Sequence, residues 1–86
     1  MHKLEKILKA LANRRRLAIL KYLKENKEAP VTKIADEINL SFKATSKHLG
    51  VLSAIDIIER EQRSSQMFYS LSAKQESSVK FIISIL

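Results

Sequence analysis

Lys43, Ser46, Lys47 and His48 gather hydrogen-bond donors within residues 41–54, SFKATSKHLGVLSA, a stretch without a carboxylate. Ammonium groups beside hydroxyl and imidazole groups suit a polyanion whose edges also carry hydrogen-bond acceptors: lysine neutralises phosphate, while serine and histidine address base edges. The segment is helical by pattern, with Thr45, Leu49, Leu52 and Ile55 on one face. Seated on a core by that face, it turns its basic side outward. The plainer alternative is a solvated basic surface. Other chemistry has little support. The chain contains no cysteine, which removes disulfides, thiolate metal sites and thiol nucleophiles together. Neither paired carboxylates nor a glycine loop that could cradle phosphate is legible, so no enzymatic activity and no cofactor is expected.

The rest of the chain must hold that helix in place. With 86 residues it is one small domain, for which burying further apolar surface in a partner adds substantially to stability. The net charge of +7 favours a polyanionic partner, although anionic lipid, RNA and simple solubility draw on the same charge. No apolar run approaches the roughly 20 residues that cross a bilayer. The N-terminus alternates lysine with apolar residues rather than presenting an unbroken apolar block, so no signal peptide is read and a cytoplasmic location is expected.

Residues 3–12, KLEKILKALA, place Leu4, Ile7, Leu8 and Leu11 on one helical side and Lys3, Lys6 and Lys9 on the other. Asn13 is a good N-cap for residues 14–26, RRRLAILKYLKEN, with an apolar stripe of Leu17, Ile19, Leu20 and Leu23. Arg14, Arg15 and Arg16 then sit in a first turn whose dipole each opposes by roughly a few tenths of a kcal/mol. Either an acid or a phosphate compensates them, or Arg16 forms a structural ion pair and the other two are solvated. Pro30 ends this helix and predicts a short edge strand. Thr32 can cap TKIADEI, with Ile34, Ala35 and Ile38 inward, and residues 39–41 turn into the basic helix. Two short helices about a tight turn make a helix-turn-helix.

Beyond residue 54 the period changes, and Ile57 to Gln62 and Gln66 to Leu71 read as two strands of a hairpin. No glycine supplies the positive φ that tight hairpins favour, so a longer loop is expected at its tip. Ser72 can cap a last helix over residues 73–86, with Val79, Ile82, Ile83 and Leu86 on one face and Phe81 and Ile85 on another. A terminal helix buries only one face on its own domain, and the second asks for another chain. The expected fold is mainly α with a small β-hairpin, in the order α-α-β-α-α-β-β-α, as one domain spanning residues 1–86. Residues 1–12 and 73–86 are expected to form a homodimer interface through Leu4, Ile7, Leu8, Leu11, Val79, Ile82, Ile83 and Leu86.

This order is that of a winged helix-turn-helix, and the residues resemble the ArsR-type repressors. LKALANRRRLAILKYL is similar to that family's opening, L-x-A-L-A-D-P-T-R-L-x-I-L-x-x-L. The likeness continues through VTKIADEINLS and SKHLGVL to FYSLS at the end of the hairpin. It implies a homodimeric regulator, usually a repressor, that binds double-stranded DNA at an inverted repeat. Carried onto this sequence, it implies DNA contacts at Ser41, Phe42, Lys43, Ser46, Lys47 and His48, with Thr32 and Lys33 at the start of the preceding helix near phosphates. The hairpin tip, with Gln62, Arg63, Ser64 and Gln66, becomes the wing, and Arg16 matches the family's arginine, read as structural.

The departures matter as much. Asn13, Arg14 and Arg15 stand where the family shows Asp-Pro-Thr, Asp56 stands for a common glycine, and Ser64 for the glycine of the wing. Gly50 lies inside the recognition helix, costing about 1 kcal/mol against alanine; either the helix loosens there or something approaches its backbone. Phe42 could touch a thymine methyl or fold back on the core. The cysteines, or paired Asp and His of the last helix, through which relatives sense metals are missing, so no metal site is expected. Two rival functions remain: a winged-helix module that binds protein, favoured by Glu59 and Glu61 near the wing, and non-specific nucleic-acid binding.

Overall fold

The computed structural model describes residues 2–86. Helix α1 (His2–Leu11) leads into α2 (Arg14–Asn26), the short strand β1 (Glu28–Pro30), and helices α3 (Val31–Ile38) and α4 (Phe42–Ala54). Strands β2 (Ile58–Arg63) and β3 (Gln66–Leu71) and helix α5 (Ser77–Ser84) complete the chain. The expected order of elements is present. The strands form an antiparallel sheet in the order β1-β3-β2, with β1 as the expected edge strand, paired Ala29 to Tyr69.

The helices begin and end for local reasons. Asn13 caps α2, its side-chain oxygen accepting from the backbone N–H groups of Arg15 at 2.9 Å and Arg16 at 3.1 Å. Between α3 and α4, Asn39 takes a left-handed conformation at φ 55°, which its short polar side chain tolerates. Ser41 then caps α4 by accepting from Ala44 N–H at 3.1 Å. At the far end Asp56 is left-handed at φ 60°. That bend brings Ile57 N–H back to the Leu52 carbonyl at 3.1 Å and buries Ile57. A carboxylate residue thus fills the place expected for glycine.

Ile19, Leu20 and Leu23 of α2 form the centre of the core, against Ile34 of α3, Leu49 and Leu52 of α4, Ile57 and Val79. Leu17 and Ile38 pack on its margin. The apolar side of α4 is therefore held as its pattern required. Thr45 is also fully buried, and its hydroxyl has no hydrogen-bond partner among the described residues. At the C-terminus Lys24 donates to the carbonyls of Ser84 at 3.1 Å and Leu86 at 3.3 Å, where a cation complements the end of α5.

Three expectations are corrected. Helix α3 starts at Val31, one residue before Thr32, with Pro30 at the cap position and no side-chain cap; proline's fixed φ presets the turn without a hydroxyl. The hairpin closes through two residues rather than a longer loop, since Arg63 pairs with Gln66. Ser64 supplies the positive φ, 56°, at the first central position, as a type II′ turn requires. Finally, α5 begins at Ser77 with Glu76 as its cap, not at Ser72. Gln75 holds the intervening segment by donating to the Ile57 carbonyl at 2.7 Å and the Ser72 carbonyl at 3.1 Å.

Candidate nucleic-acid interface

Helical spacing along α4 sets Lys43, Lys47, Gly50 and Ala54 in one stripe opposite Thr45, Leu49 and Leu52, and all four are exposed. No carboxylate interrupts the helix. Ser46 flanks the stripe half-buried, and Ser41 is exposed at the cap. The first turn of α3 presents exposed Thr32 and Lys33. Its leading backbone N–H groups have no side-chain cap, the arrangement that receives an anion at a helix start.

Gly50 lies on the outward stripe of an unbroken helix, and a Cβ there would meet nothing within 4 Å. The helix is not loosened at this position, and internal packing does not require glycine. Any close approach would come from outside the chain.

His48 departs from the expected outward face. It is half-buried on the flank toward the start of α2, where its Nδ1 lies 3.1 Å from Arg16 Nη1. Since the guanidinium only donates, this contact requires the neutral imidazole with Nδ1 as acceptor. Burial, then the charges of Arg16, Arg15 and Lys47, hold the His48 pKa below its ordinary value. Among the described residues Arg16 has no carboxylate partner. Its Nε donates to the Ala10 carbonyl and its Nη2 to the Lys9 carbonyl at 3.4 Å, so one guanidinium satisfies the end of α1 and touches α4. The structural role expected for Arg16 stands in different form: hydrogen bonds, not an ion pair.

The wing is also more occupied than its sequence suggests. Ile58 and Tyr69 are buried, so alternation puts Arg60 and Gln62 on the inner face of the sheet and Glu59, Glu61 and Arg63 on the outer one. On that outer face Arg63 lies over the Phe68 ring, 4.7 Å from its centroid. It donates to Glu28 Oε1 at 2.8 Å and, through Nε, to Glu61 Oε1 at 2.9 Å. Hydrogen bonding to Glu28 first, and then to Glu61, raises the Arg63 pKa, and the same bond lowers that of Glu28. The expected free wing cation is paired. Ser64 and Gln66 are exposed at the tip, and Gln62 donates to the Ser64 carbonyl at 3.4 Å.

Arg60 escaped the sequence reading. It is exposed and shares a cavity of about 510 Å³ with Gly50 and Ala54, but Asp56 and Glu59 line the same cavity, so the cation stands there among carboxylates. Phe42 is 59% exposed, which corrects the reading that folded it onto the core.

The chain matches the family model described as a helix-turn-helix domain over residues 11–61. It is 36% identical over 80 residues to the transcriptional activator HlyU of Vibrio cholerae, covering 93% of this chain and 70% of that protein. The solved structure of reduced HlyU superposes with a TM-score of 0.84 at 35% identity, over 99% of this chain and 85% of that one. A homodimeric winged helix-turn-helix DNA-binding domain of Mycobacterium bovis, described as a possible ArsR-family regulator, matches with a TM-score of 0.83 at 25% identity, over 98% of this chain and 74% of that one. This chain belongs to the ArsR-type winged helix-turn-helix regulators. It is a DNA-binding transcriptional regulator. The transcriptional repressor PagR of Bacillus anthracis shares the fold with a TM-score of 0.80 at 25% identity, over 98% of this chain and 92% of that one.

The side chains expected at a dimer interface divide into two groups. Ile7, Leu11, Val79 and Ile83 are buried in the protomer's own core, and Ile82 and Leu86 pack against it half-buried. Within the protomer these four buried residues have little area left for a partner. Leu4 and Leu8 on α1 and Phe81 and Ile85 at the end of the chain are exposed.

Proposed function

We propose that this regulator represses transcription as a homodimer bound to an inverted repeat. The observation that carries the reading is the exposed, carboxylate-free stripe of Lys43 and Lys47 on α4, beside the uncapped start of α3. Two copies related by a two-fold axis present two recognition helices to major grooves one helical turn apart. Lys47, Lys33 and Thr32 meet phosphates, with the N–H groups of α3 beside them, while Lys43, Ser46 and Phe42 address base edges. Gly50 admits close approach of the DNA. Ser41, Ser64, Gln62 and Gln66 border the surface, and Arg63 joins it only by exchanging Glu28 and Glu61 for phosphate. His48 acts by fixing the helix rather than by reading bases.

Leu4, Leu8, Phe81 and Ile85 are the apolar side chains with area to give to the second protomer, and the interface assignment moves to them within residues 1–12 and 73–86. No step requires catalysis. Among the described residues no helix is long and apolar enough to cross a membrane, and we assign the regulator to the cytoplasm.

The test compares Lys47→Ala with Ser46→Ala on a panel of duplexes. The phosphate contact at Lys47 predicts weakening that is uniform across sequences and a salt slope reduced by about one. Ser46→Ala should instead change the order of preference. Wild-type behaviour of both variants would remove α4 as the reader. The outer sheet face, where Glu28 and Glu61 pair with Arg63 and Glu59 stands further along β2, favours a second reading in which the wing holds a protein partner. Binding that heparin and salt leave unchanged would support that reading instead.

A further inference from the structure

We propose that Phe42 and the cleft beside it form a receptor for the 5-methyl group of a thymine in each half-site, which makes Phe42 a specificity-determining residue. This inference rests on the DNA-reading function proposed above and names what one part of that surface reads.

Phe42 is the first residue of α4 and is 59% exposed. A large aromatic ring in that position has no role in the core, which Thr45, Leu49 and Leu52 supply from the same helix. It lines a cavity of about 310 Å³ with Pro30, Thr32, Gln66 and Met67. The walls are therefore mostly hydrocarbon and aromatic: a proline ring, a threonine methyl, a thioether and the phenyl group. They come from three different elements, the start of α3, the start of α4 and the tip of the wing, which are the parts of this fold turned toward DNA in the proposed complex. Thr32, Ser65 and Gln66 add hydroxyl and amide groups to the lining, and among the described residues no charged side chain lines the cleft.

An apolar recess in a surface otherwise built for phosphate suits one feature of duplex DNA. In the major groove, only thymine presents a methyl group, and aromatic and threonine side chains are among its usual contacts. Cytosine has no methyl group to fill the apolar part of this lining. Phe42 directly precedes Lys43, the first residue of the exposed stripe, so in the proposed complex a base held by the lysine side of α4 has its neighbour beside Phe42. The flexible thioether of Met67 can close around a group of methyl size.

The test uses the intact chain and a duplex chosen by selection from a random pool, with each thymine in turn replaced by deoxyuridine, which removes only the methyl. Burial of one such group corresponds to about a fourfold change in affinity. Fluorescence anisotropy should show a loss of about that size at one thymine position per half-site for the wild type. Phe42→Ala should bind the thymine and deoxyuridine duplexes equally, whereas Lys47→Ala should weaken both yet keep the difference. Phe42 is exposed, so circular dichroism of Phe42→Ala should match the wild type. A selected motif that tolerates deoxyuridine everywhere, or an unchanged deoxyuridine penalty in Phe42→Ala, would overturn the inference and leave DNA reading intact. A selection that returns no motif would overturn both.

Discussion

Arg16 should contribute far more to stability than its two neighbours of the same type. Its guanidinium donates to the Ala10 and Lys9 carbonyls and meets His48 Nδ1 at 3.1 Å. It thereby joins the end of α1 to the middle of α4. Among the described residues Arg14, exposed at the first position of α2, has no side-chain hydrogen bond or ion pair. Hydrogen bonds from a charged donor contribute roughly 1.5–3 kcal/mol each when well buried. Arg16 is only half-buried, its contact with Lys9 is long, and water can replace part of the rest, so Arg16→Ala should cost about 2 kcal/mol. For a domain of this size that corresponds to a fall of about 10 °C in the thermal midpoint. Arg14→Ala should stay within about 0.5 kcal/mol of wild type. Urea and thermal unfolding of the two variants side by side make the comparison. Equal midpoints would refute the claim that this guanidinium ties the helices together.

The same contact predicts a pH dependence. Since the folded His48 pKa lies below the ordinary 6.5, the unfolded chain takes up the proton first as the pH falls. The contribution is full above 6.5 and is lost as the pH drops through the folded value. Wild type should lose urea resistance across that window, and His48→Gln should flatten the loss; parallel profiles would exclude His48 as its source. At the wing, Glu28→Gln combined with Glu61→Gln should release Arg63 toward phosphate, raising duplex affinity severalfold and steepening the salt slope by about one; no change in either would place Arg63 off the DNA. Leu8→Glu combined with Phe81→Glu should leave a folded monomer by light scattering, and a persisting dimer would exclude these side chains from the interface.

Periodicity made much of this molecule legible from sequence. The stripes of α2, α3 and α4 found their buried residues because a 3.6-residue repeat survives tertiary packing. Asn13 and Ser41 identified two helix starts because a cap acts within three residues. The turns were harder. Ser64 and Asp56 adopt left-handed conformations that favour glycine, and nothing local distinguishes a serine that will do so. The exposed lysines of α4 were legible, but the pairings around the candidate site were not. Arg63 meets Glu28 from a strand distant in sequence, and Arg16 meets His48 across the junction of three helices; only the assembled fold creates either contact. Terminal helices showed the same limit. Their apolar residues were visible, yet which of them the protomer itself would bury depended on how α1 and α5 seat on α2.

The most direct measurement is selection of bound duplexes from a random pool by the intact chain, followed by the stoichiometry of the selected complex. A two-fold symmetric motif, with half-site centres about 10 base pairs apart and two chains bound per duplex, is the predicted result. An asymmetric motif bound by one chain, or enrichment without any motif, would contradict the paired recognition helix on which this mechanism rests.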